Sequence, residues 1–421
     1  MASATRAASP PAGTARITFY VALAVFAQES TWNFYDNRVP ELLRDHVASA
    51  AVIGLLMGMD NLLGVFIQPY MGNRSDNTRT AWGRRIPYLA VMMPLGALLF
   101  LLIPHATSLG WLILVIFLYA LVMNSFKPIS ESLMPDFIPP ERRSRANAAV
   151  KIASALTTIV AALVSLLMVD DHPKLAFAVP AALMLVAAGV LVWRVRDSRS
   201  PAYQAALAED RAATGEAKVK MRTVVGDLVS SADRRRLLLI VAVFLFAGAW
   251  FASRSLMTPY GVQVLGLSPG KTGGLTLPSG IAFLLAAYPA ALLAERFGRL
   301  RVMATGMLVF ALGALLGAAV QTPAATVVAL CLAAAGAAAF VINAVVVLWN
   351  LAPSSRVLGT YTGLYTVGWA GGGIAGPALV GLAVDLTGWH LMLLHIAVLT
   401  VTSILLVLRI DRLRRRIEAT P

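Results

Sequence analysis

Gly72-Asn-Arg-Ser-Asp76-Asn-Thr-Arg79-Thr-Ala-Trp-Gly83-Arg84-Arg85-Ile-Pro87 stands between two long apolar runs and decides how the rest of the chain is read. Gly72 permits close approach of helices, Asp76 can pair with arginines or cap a helix amino end, and Arg84 and Arg85 can hold helix carboxyl ends or lipid phosphates. With Arg79 and Gly83 they describe a breakable latch at one end of a helical bundle. Simple obedience to the positive-inside rule accounts for the arginines, but not for the order Gly, Asp, Gly-Arg-Arg. A weaker copy, Ala291-Leu-Leu-Ala-Glu295-Arg296-Phe-Gly298-Arg299-Leu-Arg301, follows a later apolar run, with Glu for Asp and Ala for the first Gly. A copy at the same place in each half points to an internal repeat. Asp136 and Arg145, in the loop after the fourth apolar run, and Glu295 and Arg299 of the copy complete the expected gate.

The runs on either side are part of a chain of 421 residues that is 58% hydrophobic and only 13% charged, against about 25% charged in soluble domains. A soluble globule cannot hide that much apolar surface, whereas runs of about 20 apolar residues fit the bilayer core. We expect an all-α membrane protein with twelve transmembrane helices, at 17–39, 48–73, 87–104, 109–135, 146–169, 174–194, 236–265, 272–295, 301–320, 324–350, 358–384 and 389–410. These divide into a tail (1–16), a six-helix half (17–194), a polar linker (195–235), a second six-helix half (236–410) and a tail (411–421). An even number of helices puts both termini on one side. Arg38, Arg44, Lys174 and Lys271 fall on the opposite side and Lys127 and Arg254 within helices; the other basic residues gather beside the 72–85 loop, which marks that side as cytoplasmic. The net charge of +14 is therefore a topology signal and not a nucleic-acid footprint. No cleavable leader is evident, so the first run should act as an uncleaved anchor. The single cysteine, Cys331, excludes an internal disulfide or a multi-cysteine metal site, and neither metal nor cofactor is expected. The linker, from Arg196 to Arg236, is polar enough to be read as a flexible connector or surface helix with no role beyond joining the halves.

Ionisable groups inside membrane helices cost roughly 2.5–3.5 kcal/mol each on insertion scales and so need a partner, water or a function. Glu29, Asn33 and Asp36 share one face of the first helix, with Asp36 near the outer surface. Asp60, beside Asn61, lies midway along the second helix, above Gly64 and Gln68. Glu29 and Asp60 are candidate proton carriers. On the fourth helix Asn124, Lys127 and Glu131 share a face, and Lys127 and Glu131 are spaced to pair with each other. Arg254 is a lone cation that either snorkels outward or binds substrate. Tyr361, Tyr365 and Trp369 recur every four residues beside a ladder of Gly368, Gly372 and Gly376; such aromatics suit sugar rings, and such glycines suit helix approach. Asn343 and Asn350 share a face of the tenth helix and offer amides to hydroxyl groups. The set is polar but weakly charged, which suits a neutral polyol.

The 72–85 loop resembles the signature loop of the major facilitator superfamily, in the lengthened form of the glycoside–pentoside–hexuronide:cation symporters and the related sucrose/proton symporters. Further segments resemble the bacterial branch of the sucrose-symporter-like group: Trp32-Asn-Phe-Tyr-Asp-Asn-Arg-Val-Pro40, Met59-Asp60-Asn61, Gln68-Pro69, Leu133-Met-Pro-Asp136-Phe-Ile-Pro-Pro140, Arg145-Ala-Asn147 and Gly359-Thr-Tyr-Thr-Gly-Leu-Tyr365. The resemblance implies a monomeric carrier of the bacterial inner membrane, with sugar and protons as its small-molecule partners. One departure stands out: where melibiose-type symporters carry two acids in the second helix, this chain has Gly64 and Gln68. Export of a small metabolite or drug by proton antiport is the competing reading, although the Gly-Pro pattern of such antiporters is missing from Lys151 to Met168. A non-transporting membrane sensor is a third. No nucleophile motif, metal cluster or phosphate loop points to an enzyme.

Overall fold

The computed structural model describes residues 12–47, 50–169, 171–212, 219–267 and 275–418, and no strand occurs among them. Twelve long helices carry the fold. In the first half they are α1 (Ala12–Arg44), α2 (Ala50–Asp76), α3 (Ile86–Leu102), α4 (Leu109–Phe137), α5 (Arg143–Met168) and α6 (Ala178–Arg194). In the second they are α7 (Arg235–Ser255), α8 (Leu277–Phe297), α9 (Arg299–Ala319), α10 (Pro323–Leu351), α11 (Leu358–Thr387) and α12 (Met392–Glu418). Nine spans among the described residues are long and apolar enough to cross a membrane by composition alone; α1, α2 and α5, of 33, 27 and 26 residues, complete the twelve. Helices are required because lipid offers the backbone no hydrogen-bond partners. Leu386 (81% exposed), Leu277 (73%) and Leu285 (72%) project outward, as lipid-facing leucines do and a water-facing surface rarely would.

Two of the expected helices are broken, and that over 174–194 divides into a single turn, Pro173–Ala176, and α6. A single helix was expected over 236–265, but the chain breaks at Leu256 and restarts as a short helix, Met257–Gln263. The linker, expected as a flexible connector or surface helix, contains two helices, Pro201–Ala212 and Met221–Ser230, that dock on the bundle. Lys271 lies outside the described residues.

Each half has its own aromatic core. Phe34, Phe100 and Phe177 meet with ring centroids 5.0–6.2 Å apart, and Tyr119 joins Phe100 at 5.5 Å. In the second half Phe246 lies 5.2 Å from Phe310 and 4.3 Å from Phe340. Aromatic pairs at such spacing add roughly 0.5–1.5 kcal/mol each beyond their burial, so each half is built to move as a unit. Within the second half, the ladder of Gly368, Gly372 and Gly376 lies against Ile240, Phe244 and Gly248 of α7, bringing the two backbones into contact. Between halves, α2 crosses α11, and α5 lies against α8 and α10 through Ala148, Ala287, Ala291 and Ala338. The hydrogen bonds and ion pairs joining the halves, among the described residues, lie at the end of the bundle that carries the 77–85 loop.

A Cβ at Gly376 would run into the backbone of Gly248, whereas one at Gly381 would meet nothing. Gly376→Val should therefore cost about 1–3 kcal/mol by overpacking and lower the Tm of the purified protein, while Gly381→Ala should leave it unchanged. Equal Tm values for the two variants would show that α7 and α11 do not depend on this contact.

Candidate functional site

Two polar centres stand out, a clasp at the loop end and a cluster at mid-bundle. In the clasp, Arg84 and Arg85 are completely buried. Asp136 accepts two bonds from Arg84, at 3.1 and 2.7 Å, and one from Arg85 Nε at 2.9 Å. Asp76 accepts from Arg85 Nη2 at 2.7 Å, and from the backbone N–H groups of Gly359 and Thr360 at 2.9 and 2.7 Å. An acid on α2 thus caps the first turn of α11 in the opposite half, where the helix dipole favours negative charge. Arg84 also donates to the Ser355 carbonyl at 2.8 Å. Gly72 is what lets the helices cross so closely, since a Cβ there would overlap the carbonyl of Gly359. Breaking one member of such a buried set costs about 3–5 kcal/mol.

The second copy of the motif reverses the arrangement. Glu295 of α8 pairs with Arg145 near the start of α5. Arg299 donates to Ser144 Oγ at 2.6 Å and to the carbonyls of Pro140 and Glu141, while Arg143 donates to Asn350 Oδ1 at 2.8 Å.

The linker closes over both. Asp210 takes Arg79 of the first half and Arg356 of the second at 2.8 Å each. Asn73 and Asn77 each donate to the Val219 carbonyl at 2.9 Å. Asp197 is fully buried and accepts the backbone N–H groups of Arg84 and Arg85. Gly83, at φ +104°, presents no side chain to Asp197, and a Cβ there would crowd the carboxylate. Burial pushes the Asp197 carboxyl above its ordinary 3.8 and the charge of Asp136 adds to the rise, partly offset by the Arg85 N–H and the two guanidinium groups.

At mid-bundle, Lys127 Nζ lies 3.3 Å from Glu29 Oε1 and Lys151 Nζ 4.0 Å from Glu131 Oε1. All four side chains keep 16–29% of their surface exposed. Ala148 and Ile152 of α5 touch the second half, and Lys151 stands beside them on that side. Trp32 places its ring 5.7 Å from Lys127 Nζ. Gln68 donates to Asn124 Oδ1 at 2.7 Å, and Asn124 donates to the Asp60 carbonyl oxygen at 3.1 Å. Gly64 leaves room for this amide pair, because a Cβ would come within 2.8 Å of Asn124 Oδ1. The Asp60 side chain takes the N–H and amide of Asn61 at 2.6 and 3.0 Å. Asn33 donates to Thr157 at 2.7 Å. From the second half, Tyr365 stacks on Trp369 with centroids 6.2 Å apart.

The Major Facilitator Superfamily profile matches residues 15–287 and 274–420. The chain belongs to the major facilitator superfamily. This facilitator is accordingly a multi-pass membrane transporter of the carrier kind, not an enzyme. Its fold is similar to that of FucP, solved in the outward conformation (TM-score 0.76, 16% identity, 93% of this chain and 98% of that one). It is also similar to a bacterial homologue of the iron transporter ferroportin (0.73, 14%, 94% and 100%) and to the human organic anion transporter TETRAN (0.72, 18%, 95% and 100%). A stretch of 95 residues is 32% identical to the mouse Membrane-associated transporter protein and 30% identical to the human one. That stretch covers 22% of this chain and 18% of either relative.

Most of the residues singled out from the facilitator's sequence fall in one centre or the other. Several change place or partner. Lys127 pairs with Glu29 and not with Glu131, because a neighbouring helix offers a nearer carboxylate than its own next turn. Asn350 and Tyr361, expected to line a binding site, lie at the clasp; Tyr361 is buried and accepts a bond from Arg236 at 2.7 Å. Asn343 is buried inside the second half, with its amide on the Ala339 carbonyl at 2.9 Å. Arg254 is exposed and lies 4.2 Å over the Trp250 ring. Lys151, Asp197, Asp210 and Arg143 went unrecognised: each lies in a stretch whose sequence shows only polarity, and each gains a partner solely through the fold.

A raised carboxyl pKa means that protonation favours the docked state, so the stabilisation is present at acid pH and fades as pH rises above the ordinary carboxylate value. Hydrogen-exchange protection factors across residues 197–212, which divide out the pH dependence of exchange in an unstructured chain, should be larger at pH 5 than at pH 8. In Asp197→Asn, which still offers an acceptor to the two N–H groups, this difference should vanish; a pH effect of equal size in the variant would assign it to another group.

Proposed function

We propose that this transporter takes up a neutral sugar or glycoside together with protons, by rocking its two halves about the mid-bundle cluster. The carrying observation is the Glu29–Lys127 pair. It is an ion pair between two helices, partly exposed at a depth where nothing structural requires charge. Glu29 and Glu131 balance Lys127 and Lys151, so the centre has no excess charge with which to hold an ionic substrate except at Asp60. The amides of Asn33, Asn61, Gln68 and Asn124 offer donors and acceptors to hydroxyl groups, and the stacked rings offer a flat face to a sugar.

With the loop end in the cytoplasm, the clasp holds the inner gate shut and the described conformation receives substrate from outside. A proton on Glu29 removes the charge that holds Lys127, which frees the ammonium for a substrate oxygen. Proton and sugar are then loaded together, and the pair re-forms only after both have left. Asp60 assists as a second carboxylate within the same layer of the bundle.

A second reading, export of a small organic anion by proton antiport, draws support from Lys127, Lys151 and Arg254, all partly exposed. In that case the anion would displace Glu29 and Glu131 from their lysines.

A pH difference of one unit can drive about tenfold accumulation of a substrate moved with one proton. In proteoliposomes with an imposed gradient, the wild type should approach that ratio for its sugar. Glu29→Gln should equilibrate the sugar without concentrating it, while exchange of labelled for unlabelled sugar continues. Full accumulation by Glu29→Gln would remove this residue from coupling, and protection of an efflux-deficient host by the wild type would favour the exporter.

A further inference from the structure

The outer surface of the second half carries two adjoining compartments that the transport cycle does not use. α8 and α9 turn tightly at Gly298 (φ +93°) and part over α10, leaving an apolar groove of about 390 Å³. Gly306, Ala335 and Ala339 lie along the groove with Pro289, Leu293 and Phe297. Leu293 and Phe297 are 47% and 52% exposed, so the groove is open to the hydrocarbon around the bundle. At the loop end it runs to Arg301, and Arg301 also lines a recess of about 430 Å³ with Arg235, Arg299, Arg414, Glu141 and Glu295.

The charges of the recess are unequally committed. Arg235 is held by Asp233, Arg414 by Asp411, and Arg299 by Ser144 and the Pro140 carbonyl. Glu295 gives one oxygen to Arg145, while its Oε1 is buried with no hydrogen-bond partner among the described residues. Arg301, exposed where the two compartments meet, makes no hydrogen bond or ion pair with the described residues, and four arginines face two glutamates. An anion is thus favoured in the recess and an alkyl chain in the groove, and one side chain borders both.

We propose that this is a binding site for an anionic phospholipid, with its phosphate at Arg301 and one acyl chain along Gly306, Ala335 and Ala339. A headgroup hydroxyl can donate to Glu295 Oε1, which suits a glycerol headgroup. Glu141 belongs to the first half and Arg299 reaches across to it, so the recess is complete only while the loop end is clasped. Occupancy therefore favours the clasped conformation.

The test uses the purified full chain in neutral detergent, titrated with phosphatidylglycerol, phosphatidylcholine of the same chains, and inorganic phosphate, and read as the shift in Tm. Phosphatidylglycerol should raise Tm and phosphatidylcholine should not. Arg301→Gln should weaken the phosphatidylglycerol response about fivefold in midpoint concentration, the scale of one basic side chain at an anionic lipid surface, and Arg301→Lys should retain most of it. Ala335→Leu should weaken it as well by filling the groove; if that variant does not fold, Thr305→Leu narrows the same groove from its exposed wall. Equal responses to the two lipids would overturn the proposal. So would a phosphate response as large as that of phosphatidylglycerol, with the groove variants unaffected, because that outcome describes a soluble-anion site.

Discussion

Four charges sealed from water at the crossing of α2 and α11 set the terms for the rest of this structure. Arg84 and Arg85 can be buried only because Asp76 and Asp136 meet them with several well-aligned bonds, since an unpaired charge in such a place costs several kcal/mol. That requirement dictates the local sequence. Gly72 must lack a side chain so that α11 comes close, Asp76 must stand at the first turn of α11, and Gly83 must turn the chain so that the two arginines point inward. The set is stable as a whole and costly in part. Separating the halves leaves these four paired within the first half, but takes the Gly359 and Thr360 N–H groups away from Asp76 and the Ser355 carbonyl away from Arg84, so water must replace those partners.

The remainder of the bundle is arranged so that motion is confined to that place. Aromatic clusters around Phe34 and Phe100, and around Phe246 and Phe340, fix the helices within each half. Backbone contact between α7 and α11 through Gly248 and Gly376 makes α11 a rigid part of the second half. Beside the alanine contact of α5 with α8 and α10, polar bonds join the halves at the loop end: Asp76 on α11, Arg145 on Glu295, Arg299 on the 140–144 turn, and Asp210 spanning Arg79 and Arg356. Separating the apolar part has no compensation from water, and the alanines keep that surface small, whereas the polar contacts exchange one set of partners for another. The near-symmetry of the two motif copies follows, since each half offers an acid and a basic loop to the opposite half.

Much of this could be read from the sequence, and the failures have a common cause. The loop 72–85 and its copy at 291–301 announced the polar contacts at the loop end, and apolar length announced the twelve helices. Helical spacing then led to residues that share a face but not a depth. Asn343 and Asn350 are seven residues apart, which is roughly 10 Å along the axis, enough to put one amide inside the second half and the other at the clasp. Tyr361 and Tyr365 divide in the same way. Spacing within one helix likewise suggested Glu131 for Lys127, because it cannot see that Glu29 stands across the gap on α1. The docking of the linker went unseen for a different reason. Its polarity looked like solvation, yet Asp197 and Asp210 are polar because they dock against the polar loops of the gate.

The substitution of Gly64 and Gln68 for a pair of acids narrows the way a proposed symporter of this kind can sense its ion. Two carboxylates side by side hold a metal cation by their charge. Here the same space is filled by the amides of Gln68 and Asn124, bonded to each other and to the backbone at Asp60, and amides neither gain nor lose charge. Any coupling must then rest on groups whose charge changes, and at this depth these are Glu29, Glu131 and Asp60. Glu29 and Glu131 each have a lysine as partner, so adding a proton to either does more than neutralise a carboxylate: it releases an ammonium group that must find another oxygen. A sugar hydroxyl supplies one without bringing charge of its own. On this reading the lysines make proton binding and sugar binding depend on each other, a link that a sodium site built from acids alone would not provide.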